Sequence, residues 1–314
     1  MASNQRAQGD DMMPRDTVVL ITGASTGFGR AASETLARRG YTVFATMRDT
    51  SGRNASSSES LQSLAKEEGL RLEVLDMDVT QDASVNQAVE QTLDRAGRID
   101  VAINNAGIGA LGLTEAYTVE QIQQVFDVNL FGAVRVNRAV LPTMRKRRSG
   151  LLIHVSSAAG RVALPCMAAY CASKFALEAL ADAYRFELSP FGIDSVLVEP
   201  GIHRTPILER FNEPTDHARI AAYGATAEYA RRVRSVFDAA NNAAETPGVE
   251  DVVQAFVRLI ETPPGERPLR TVPTVAIQPL LLSYNAAAAE LRQAVAQIFN
   301  VTELLVLQRS DAGL

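Results

Sequence analysis

The sequence predicts an α/β protein with a single doubly wound domain: a mostly parallel seven-stranded sheet with helices on both faces. Three observations predict this fold class. Short apolar runs alternate with amphipathic helical patterns along the chain. A glycine-rich turn stands directly between the first apolar run and the first helical pattern. The composition does not change along the chain, and no internal repeat divides it.

The elements follow from periodicity and from the residues that end each run. A polar, serine-rich loop is expected at 51–60, and Gly40 is expected to end the first helix. Pro273 weakens the last strand or places it at an edge of the sheet. Strands are predicted at 17–21, 41–47, 70–75, 99–103, 151–155, 193–198 and 269–277, and the main helices at 30–39, 82–95, 119–141 and around 170–174.

The turn after the first strand predicts a dinucleotide site. Residues 22–29 are TGASTGFG, with glycines at 23, 27 and 29 that permit a tight turn and close approach of a ligand to the backbone. A helix begins just after them, and its free N–H groups and dipole favour a pyrophosphate. The strand, turn and helix therefore open a Rossmann-type βαβ unit.

The end of the second strand favours NADP(H) over NAD(H). In dinucleotide folds this strand end meets the adenosine ribose, where an acid selects NAD and an arginine accepts a 2′-phosphate. Arg48 stands at this position, and the nearest acid, Asp49, comes after it. A solvated arginine is the alternative interpretation.

Tyr170 and Lys174 form a candidate acid–base pair. Four positions apart on a predicted helix, they lie on one face, a turn from each other. A nearby ammonium is expected to lower the phenol's pKa from its usual value of about 10. Such a pair also occurs by chance on solvated helix faces, so the rest of the chain must support it.

The composition argues against several partners. The chain has 314 residues, 46% apolar and 21% charged, and its net charge of −5 gives no electrostatic case for nucleic acid. No apolar run approaches the roughly 20 residues of a membrane span. Residues 1–16 lack a signal peptide's apolar centre and are expected to form a disordered tail. Cys166 and Cys171 lack metal-ligand spacing, so we expect no metal site, and a cytoplasmic location.

Five motifs together resemble one family. They are TGASTGFG at 22–29, NNAG at 104–107, SSAAG at 156–160, YCASK at 170–174 and PGIHRT at 200–205. In this order and spacing they resemble the short-chain dehydrogenase/reductase family, over roughly residues 17–205. The texture of FATMRDT, YCASKFALEAL and the long C-terminal extension is most similar to the hydroxysteroid and retinol dehydrogenase branch.

The resemblance implies an enzyme that acts on CH–OH groups with NADP(H). Tyr170 would be the general acid or base, and Lys174 would hold the nicotinamide ribose and lower the phenol's pKa. Ser157, thirteen positions before the tyrosine, would polarise the substrate oxygen; Ser156 is its neighbour. Asn129 would support a water chain to the lysine. The cofactor residues would be Gly23, Ser25, Gly27, Phe28, Gly29, Arg48, Asp78, Val79, Asn105, Ala106, Gly107, Tyr170, Lys174, Pro200, Gly201 and Thr205.

The resemblance to the family motifs weakens after Gly201, so the segments beyond it are assigned from their composition. Residues 202–240 are expected to form a substrate lid, with a mostly apolar, steroid- or retinoid-like substrate. The extension at 279–314 would cover the pocket, pack on a partner or touch a membrane surface. The resemblance also implies a homodimer or homotetramer. A non-catalytic NADP(H) sensor on the same fold is the alternative function, although a sensor needs no acid–base tyrosine.

Overall fold

A computed structural model of the protein describes residues 16–273 and 276–308. The predicted N-terminal tail, apart from Asp16, lies outside these residues. The strands are β1 Val18–Ile21, β2 Thr42–Met47, β3 Leu72–Asp76, β4 Val101–Asn104, β5 Gly150–Val155, β6 Ile193–Val198 and β7 Arg270–Thr271. The helices are α1 Gly27–Arg38, α2 Ala55–Glu67, α3 Asp82–Ala96, α4 Val119–Phe126, α5 Gly132–Arg147, α6 Ala168–Leu188, α7 His217–Ala222, α8 Glu228–Asn242, α9 Glu250–Glu261 and α10 Gln278–Ile298.

The seven strands form a parallel sheet in the order β3-β2-β1-β4-β5-β6-β7. Helices cover both faces, because successive strand residues point to opposite sides. Val19 and Ile21 pack with α1, α2 and α9 on one face, whereas Val18 and Leu20 pack with α3, α5 and the end of α6 on the other. The predicted fold class is confirmed.

The strand order reverses between β1 and β4, and this reversal determines where a ligand-binding crevice forms. The chain leaves β1 for β2 and β3 on one side and later builds β4 to β7 on the other. In open α/β sheets, ligands bind in the crevice at this switch point, beyond the carboxyl ends of the strands. The glycine-rich turn after β1 and the NNAG motif after β4 meet there.

Three elements differ from the sequence prediction. The serine-rich loop predicted at 51–60 is helical from Ala55, because Ser58 and Leu61 are buried and tertiary packing outweighs the weak helix propensity of serine. The first helix begins at Gly27, three residues before the predicted start. The seventh strand shrinks to Arg270–Thr271, at the edge where Pro273 was expected to place it.

The long helix predicted at 119–141 is interrupted. A π-helical segment, Asp127–Phe131, separates α4 from α5, and α5 continues to Arg147 with Pro142 inside it. Such single-turn π segments insert a residue into a helix and often occur at functional sites. Asn129 lies in this segment and is buried.

Candidate active site

The carboxyl ends of the strands open into a large cavity of about 1350 Å³. Small-molecule pockets usually measure roughly 300–1000 Å³, so this cavity has room for a dinucleotide and a second molecule. All five motifs contribute to its wall, together with residues from the predicted lid. The topology therefore brings the separate motifs to one place.

The glycine-rich turn leaves space that only glycine permits. Gly23 has a φ of +67°, and an added Cβ there would lie 2.8 Å from the Cα of Ala106. At Gly29 an added Cβ would lie 2.5 Å from both the Asn105 side chain and the Gly23 carbonyl oxygen. The first N–H groups of α1 lack partners within the helix. The turn thus offers donors and close backbone approach to an anion.

Thr22 holds the turn against the NNAG motif. Its hydroxyl accepts hydrogen bonds from the backbone N–H groups of Asn105 and Ala106, both at 3.0 Å. The Asn105 side chain in turn donates to the carbonyl oxygens of Thr22 and Gly23, at 2.8 and 3.1 Å. Asn105 therefore fixes the shape of the turn as well as lining the cavity.

Two arginines lie at the end of the cavity nearest β2. Arg48 and Arg53 both line the wall, and Asn54, directly after Arg53, lines it too. Among the residues that the structure describes, no hydrogen bond or ion pair engages the Arg48 guanidinium. Asp49 turns away from its strand with a φ of +52° and accepts the backbone N–H of Arg53 at 2.7 Å. The Asp49 carboxylate is therefore hydrogen-bonded within its own loop, whereas both arginines line the cavity.

Asp78 and Val79 line the neighbouring wall, after β3. The Asp78 carboxylate accepts the backbone N–H and the hydroxyl of Thr80, at 2.9 and 2.8 Å. This turn holds the side chain in place beside the cavity.

Asn129 organises the site from behind the wall. Its amide oxygen accepts the Ile108 N–H at 2.8 Å, and its amide nitrogen donates to the Ile108 carbonyl and the Ser173 hydroxyl, both at 3.0 Å. Gly107 separates it from Lys174: an added Cβ there would lie 3.4 Å from the Asn129 oxygen and 3.7 Å from the lysine nitrogen. Asn129 thus positions the NNAG loop and lies close to the lysine.

Lys174 is buried, with 4% of its surface exposed. Its ammonium donates to the Val155 carbonyl oxygen at 2.8 Å. Burial lowers the Lys174 pKa to about 8, and the nearby Glu178 carboxylate acts in the opposite direction. The side chain is therefore still mostly charged at neutral pH.

Tyr170 does not have the lowered pKa that the sequence suggested. Burial raises the pKa of its phenol to about 12, and the Ser157 hydroxyl, within hydrogen-bonding reach, lowers it only in part. The Lys174 ammonium lies 5.8 Å from the ring centroid and is bonded to Val155. Desolvation of the phenolate thus outweighs the distant cation, and Tyr170 carries its proton at neutral pH.

The PGIHRT motif forms the wall opposite α1. Pro200, Gly201 and Thr205 line the cavity, and the Thr205 side chain lies 3.6 Å from where a Cβ on Gly27 would be. His203 packs edge-on against Phe28, with ring centroids 5.4 Å apart. The two loops therefore contact each other at the cavity wall.

The predicted lid supplies an apolar wall. Phe211 and Phe237 pack edge to face, with centroids 5.2 Å apart, beside Met167 and Ile207. The Tyr117 hydroxyl donates to the Asn212 carbonyl oxygen at 2.7 Å and so fastens the segment to the body of the protein.

The family follows from comparison with known proteins. Residues 17–216 match the model of the short chain dehydrogenase family. This chain belongs to that family. It is 37% identical to human 17-beta-hydroxysteroid dehydrogenase type 1 over 84% of this chain and 80% of that protein. It is 35% identical to human retinol dehydrogenase 8, over 83% of each chain.

Solved structures of short-chain dehydrogenases share the fold. One from Sphingobium yanoikuyae in complex with NADPH has a TM-score of 0.67 and 27% identity, covering 88% of this chain and 94% of its own. One from Burkholderia phymatum in complex with NAD has a TM-score of 0.70 and 25% identity, over 88% and 95%. The chain is therefore an oxidoreductase of this family, and a nicotinamide cofactor is supported. Among the helices of residues 16–273 and 276–308, none combines the length and the apolar composition of a membrane-spanning segment.

The structure brings most of the predicted short-chain dehydrogenase site together. Gly29 and Asn129 are the exceptions, because neither reaches the cavity wall; both act from behind it through Asn105 and the NNAG loop. The predicted residues on the wall are Gly23, Ser25, Gly27, Phe28, Arg48, Asp78, Val79, Asn105, Ala106, Gly107, Ser157, Tyr170, Lys174, Pro200, Gly201 and Thr205.

Several residues that line the cavity were not predicted from the sequence. Arg53 lies in the segment expected to be a polar loop, and the only available signal was a second arginine five positions after Arg48. Met167 stands just before the Tyr170 motif, and Phe211 and Phe237 lie where no motif was recognised. Ile277 lines the cavity immediately before α10, so the chain leading into the extension reaches the pocket.

Proposed function

We propose that this protein transfers a hydride between NADP(H) and a ketone or secondary alcohol, or the corresponding aldehyde and alcohol, on a mostly apolar substrate. One observation carries the proposal: Ser157, Tyr170 and Lys174 line the same cavity as the glycine-rich turn and the apolar residues of the predicted lid. A non-catalytic sensor has no use for this set.

The cavity residues suit a nicotinamide dinucleotide. The backbone at Gly23 leaves the space that a pyrophosphate needs, and the free N–H groups of α1 suit its charge. Thr205, facing Gly27, would meet the carboxamide, and Lys174 the ribose. When bound, the cofactor supplies or accepts the hydride.

The protein's own residues would handle the proton. During reduction, the Tyr170 hydroxyl would donate its proton to the substrate oxygen, while the Ser157 hydroxyl donates a hydrogen bond to the same oxygen. A pKa of about 12 keeps Tyr170 protonated at neutral pH, which is the state that reduction requires. Lys174, still mostly an ammonium, would stabilise the phenolate left behind. Oxidation reverses these steps.

Arg48 and Arg53 support NADP(H) over NAD(H). Two guanidinium groups at the adenosine end suit the doubly charged 2′-phosphate, and no carboxylate of the adjacent Asp49 competes, since it bonds to its own loop. NAD(H) remains the less favoured cofactor.

The lid supports an apolar substrate. Met167, Ile207, Phe211 and Phe237 surround the space next to Tyr170, and burying an apolar molecule against them is favourable. A steroid- or retinoid-like ring system would present its oxygen to Ser157 and Tyr170 and its hydrocarbon body to this wall.

Replacement of the tyrosine tests the proposal. Tyr170→Phe should lower kcat with apolar ketones by roughly 100-fold or more, because only the transferable proton is removed. The Kd for NADPH, measured by fluorescence, should stay within about threefold. Tyr184→Phe is the matched control: Tyr184 lies on the same helix but packs under His154, away from the cavity. Wild-type turnover in Tyr170→Phe would refute the acid–base assignment.

We also propose that the protein forms a homodimer or homotetramer and that it is cytoplasmic. Phe175 on the tyrosine-bearing helix is 40% exposed, and Phe131 on the π-helical segment that packs against this helix is 48% exposed; a second copy would cover both. A monomer in sedimentation at micromolar concentration would contradict the dimer or tetramer.

A further inference from the structure

A buried cluster of charged side chains lies directly behind the catalytic lysine. Glu178 follows Lys174 by one helical turn, and Glu199 comes directly after β6 and before Pro200. These two glutamates are only 3% and 0% exposed. Buried carboxylates are costly unless cations or protons neutralise them.

The two carboxylates compete for one cation. The Nε of Arg270 lies 2.8 Å from a Glu178 oxygen and 3.2 Å from a Glu199 oxygen, while its terminal nitrogen binds Asp182 at 2.7 Å. Arg161 stands farther away, 3.9 Å from Glu178 and 3.7 Å from Glu199. Three carboxylates thus surround one tightly bound guanidinium.

The C-terminal helix enters this cluster. The Asn285 amide donates to Glu199 at 2.6 Å, and its oxygen accepts from Arg161 at 2.9 Å. The Arg161 guanidinium also stacks on Tyr284, 4.5 Å from the ring centroid. The extension therefore binds one glutamate of the pair directly and leaves the other to Arg270.

We propose that Glu178 and Glu199 share one proton behind Lys174, and that α10, through Asn285, biases this proton toward Glu178. Two buried carboxylates that share their closest cation, with Arg161 no nearer than 3.7 Å, cannot both ionise freely, so they hold one proton between them. The Asn285 hydrogen bond favours the charged form of Glu199 and so draws part of the shared proton toward Glu178, whereas Arg270 and Ser156 favour the charged form of Glu178, which keeps part of its charge. Glu178 is then a positioning residue. Through Asn285, the C-terminal extension alters the charge of the Glu178 carboxylate and thereby the pKa of Lys174.

The direction of each titration agrees with this arrangement. Burial, followed by the Glu178 charge, raises the pKa of Glu199 to about 7, against the lowering effect of the Asn285 hydrogen bond. Burial also raises the Glu178 pKa. Among the groups around it, only the Glu178 charge raises the Lys174 pKa, so the proton on Glu178 controls the lysine.

The other groups that face the pair are accounted for. Ser156 lies beside Glu178 and lowers its pKa, as does Arg270. His154, whose pKa is lowered to about 3, is neutral near Lys174. The remaining charged neighbours are Asp182 on α6, Arg161 after β5, Arg270 on β7 and Arg292 on α10.

The chain allows a direct measurement, because it contains three lysines. Lys66 and Lys146 are exposed, and Lys174 is buried. Protein labelled with ¹³C at the lysine Cε would give three resonances whose pH titrations report each ammonium. Glu178→Gln should lower the Lys174 midpoint by up to about one pH unit, because it removes the charge that the shared proton leaves on Glu178.

Glu199→Gln should move the Lys174 midpoint in the opposite direction, because the competing charge disappears and Glu178 ionises fully. Asn285→Ala should do the same to a smaller extent. Gln293→Ala, exposed on the same helix, should change nothing. A structural disturbance alone has no reason to move two glutamine variants in opposite directions. Equal shifts, or an unmoved Lys174 in Asn285→Ala, would overturn the proposal.

The catalytic role of Lys174 rests on the proposed function, so it is tested in a separate activity experiment. At alkaline pH, kcat/KM for reduction should fall tenfold per pH unit, and the pH at which this fall begins should follow the Lys174 midpoint in each variant. If the resonances shift as expected but no ketone is turned over, the charge coupling holds and the proposed function fails. If Glu178→Gln does not fold, Asn285→Ala decides alone.

Discussion

The two sides of the cavity are built by different means. The dinucleotide region, residues 17–107, is shaped by backbone: Gly23 and Gly29 leave no room for a Cβ, and Thr22 and Asn105 bond to main-chain atoms. Residues 202–240, which we propose as the substrate lid and call the substrate region, meet the cavity with apolar side chains such as Phe211. A site made of backbone tolerates little change, whereas one made of side chains can be altered by single substitutions.

The largest effect is expected in the dinucleotide region. Gly23→Ala should weaken NADPH binding by roughly 100-fold or more, because its Cβ would meet the Ala106 backbone at 2.8 Å and push the turn out of shape. Gly69→Ala is the matched control, since its φ of +63° is nearly the same but nothing lies within 4 Å. Equal loss of binding in both variants would show that backbone strain, and not the contact with Ala106, matters.

A smaller and more selective effect is expected in the substrate region. Phe211→Ala should lower kcat/KM for bulky apolar ketones roughly tenfold or more, since it removes part of the apolar wall. NADPH affinity should not change. Phe299→Ala, 72% exposed on the C-terminal side, is the control. An equal loss of NADPH affinity in Phe211→Ala would mean that the two regions are not separable.

The adenosine end should respond to charge and not to shape. Arg48→Asp should shift the ratio of kcat/KM from NADPH toward NADH by about tenfold, because a carboxylate repels the 2′-phosphate and accepts a ribose hydroxyl. Arg53→Ala should give a weaker shift in the same direction. An unchanged ratio in Arg48→Asp would remove the argument for the phosphate.

The smallest effect concerns stability and not binding. His154 is fully buried on β5, and its pKa falls from 6.5 to about 3. Below pH 6.5, His154 is therefore protonated in the unfolded chain but stays neutral in the folded chain. The free energy of unfolding decreases as pH falls from 6.5 toward 3. Between pH 7 and pH 5 this histidine should account for roughly 2 kcal/mol of lost unfolding free energy.

His154→Gln should flatten this pH dependence, as measured by urea unfolding at the two pH values. Cofactor affinity should stay unchanged, because His154 does not line the cavity. If wild type and variant lose the same stability between pH 7 and pH 5, another group carries the linkage.

The sequence predicted the parts of the site that depend on local pattern. Strand, glycines and helix around Gly23 follow from local geometry, and the four-residue spacing placed Tyr170 and Lys174 on one face. The pKa of Tyr170 could not be predicted, because it depends on burial by segments distant in sequence. Arg53 and Phe211 were missed for a similar reason: their positions depend on where α2 begins and how the lid folds.

The π-helical segment at Asp127–Phe131 has a consequence for how this protein can be altered. The inserted residue rotates α5 relative to α4, so that α4 packs on α6 while α5 packs on α3 and the sheet. Deleting one residue there would restore an unbroken helix and turn the Asn129 amide away from Ile108 by about 100°. A single-residue deletion in this segment should therefore abolish activity by displacing the NNAG loop, although Asn129 itself does not line the cavity.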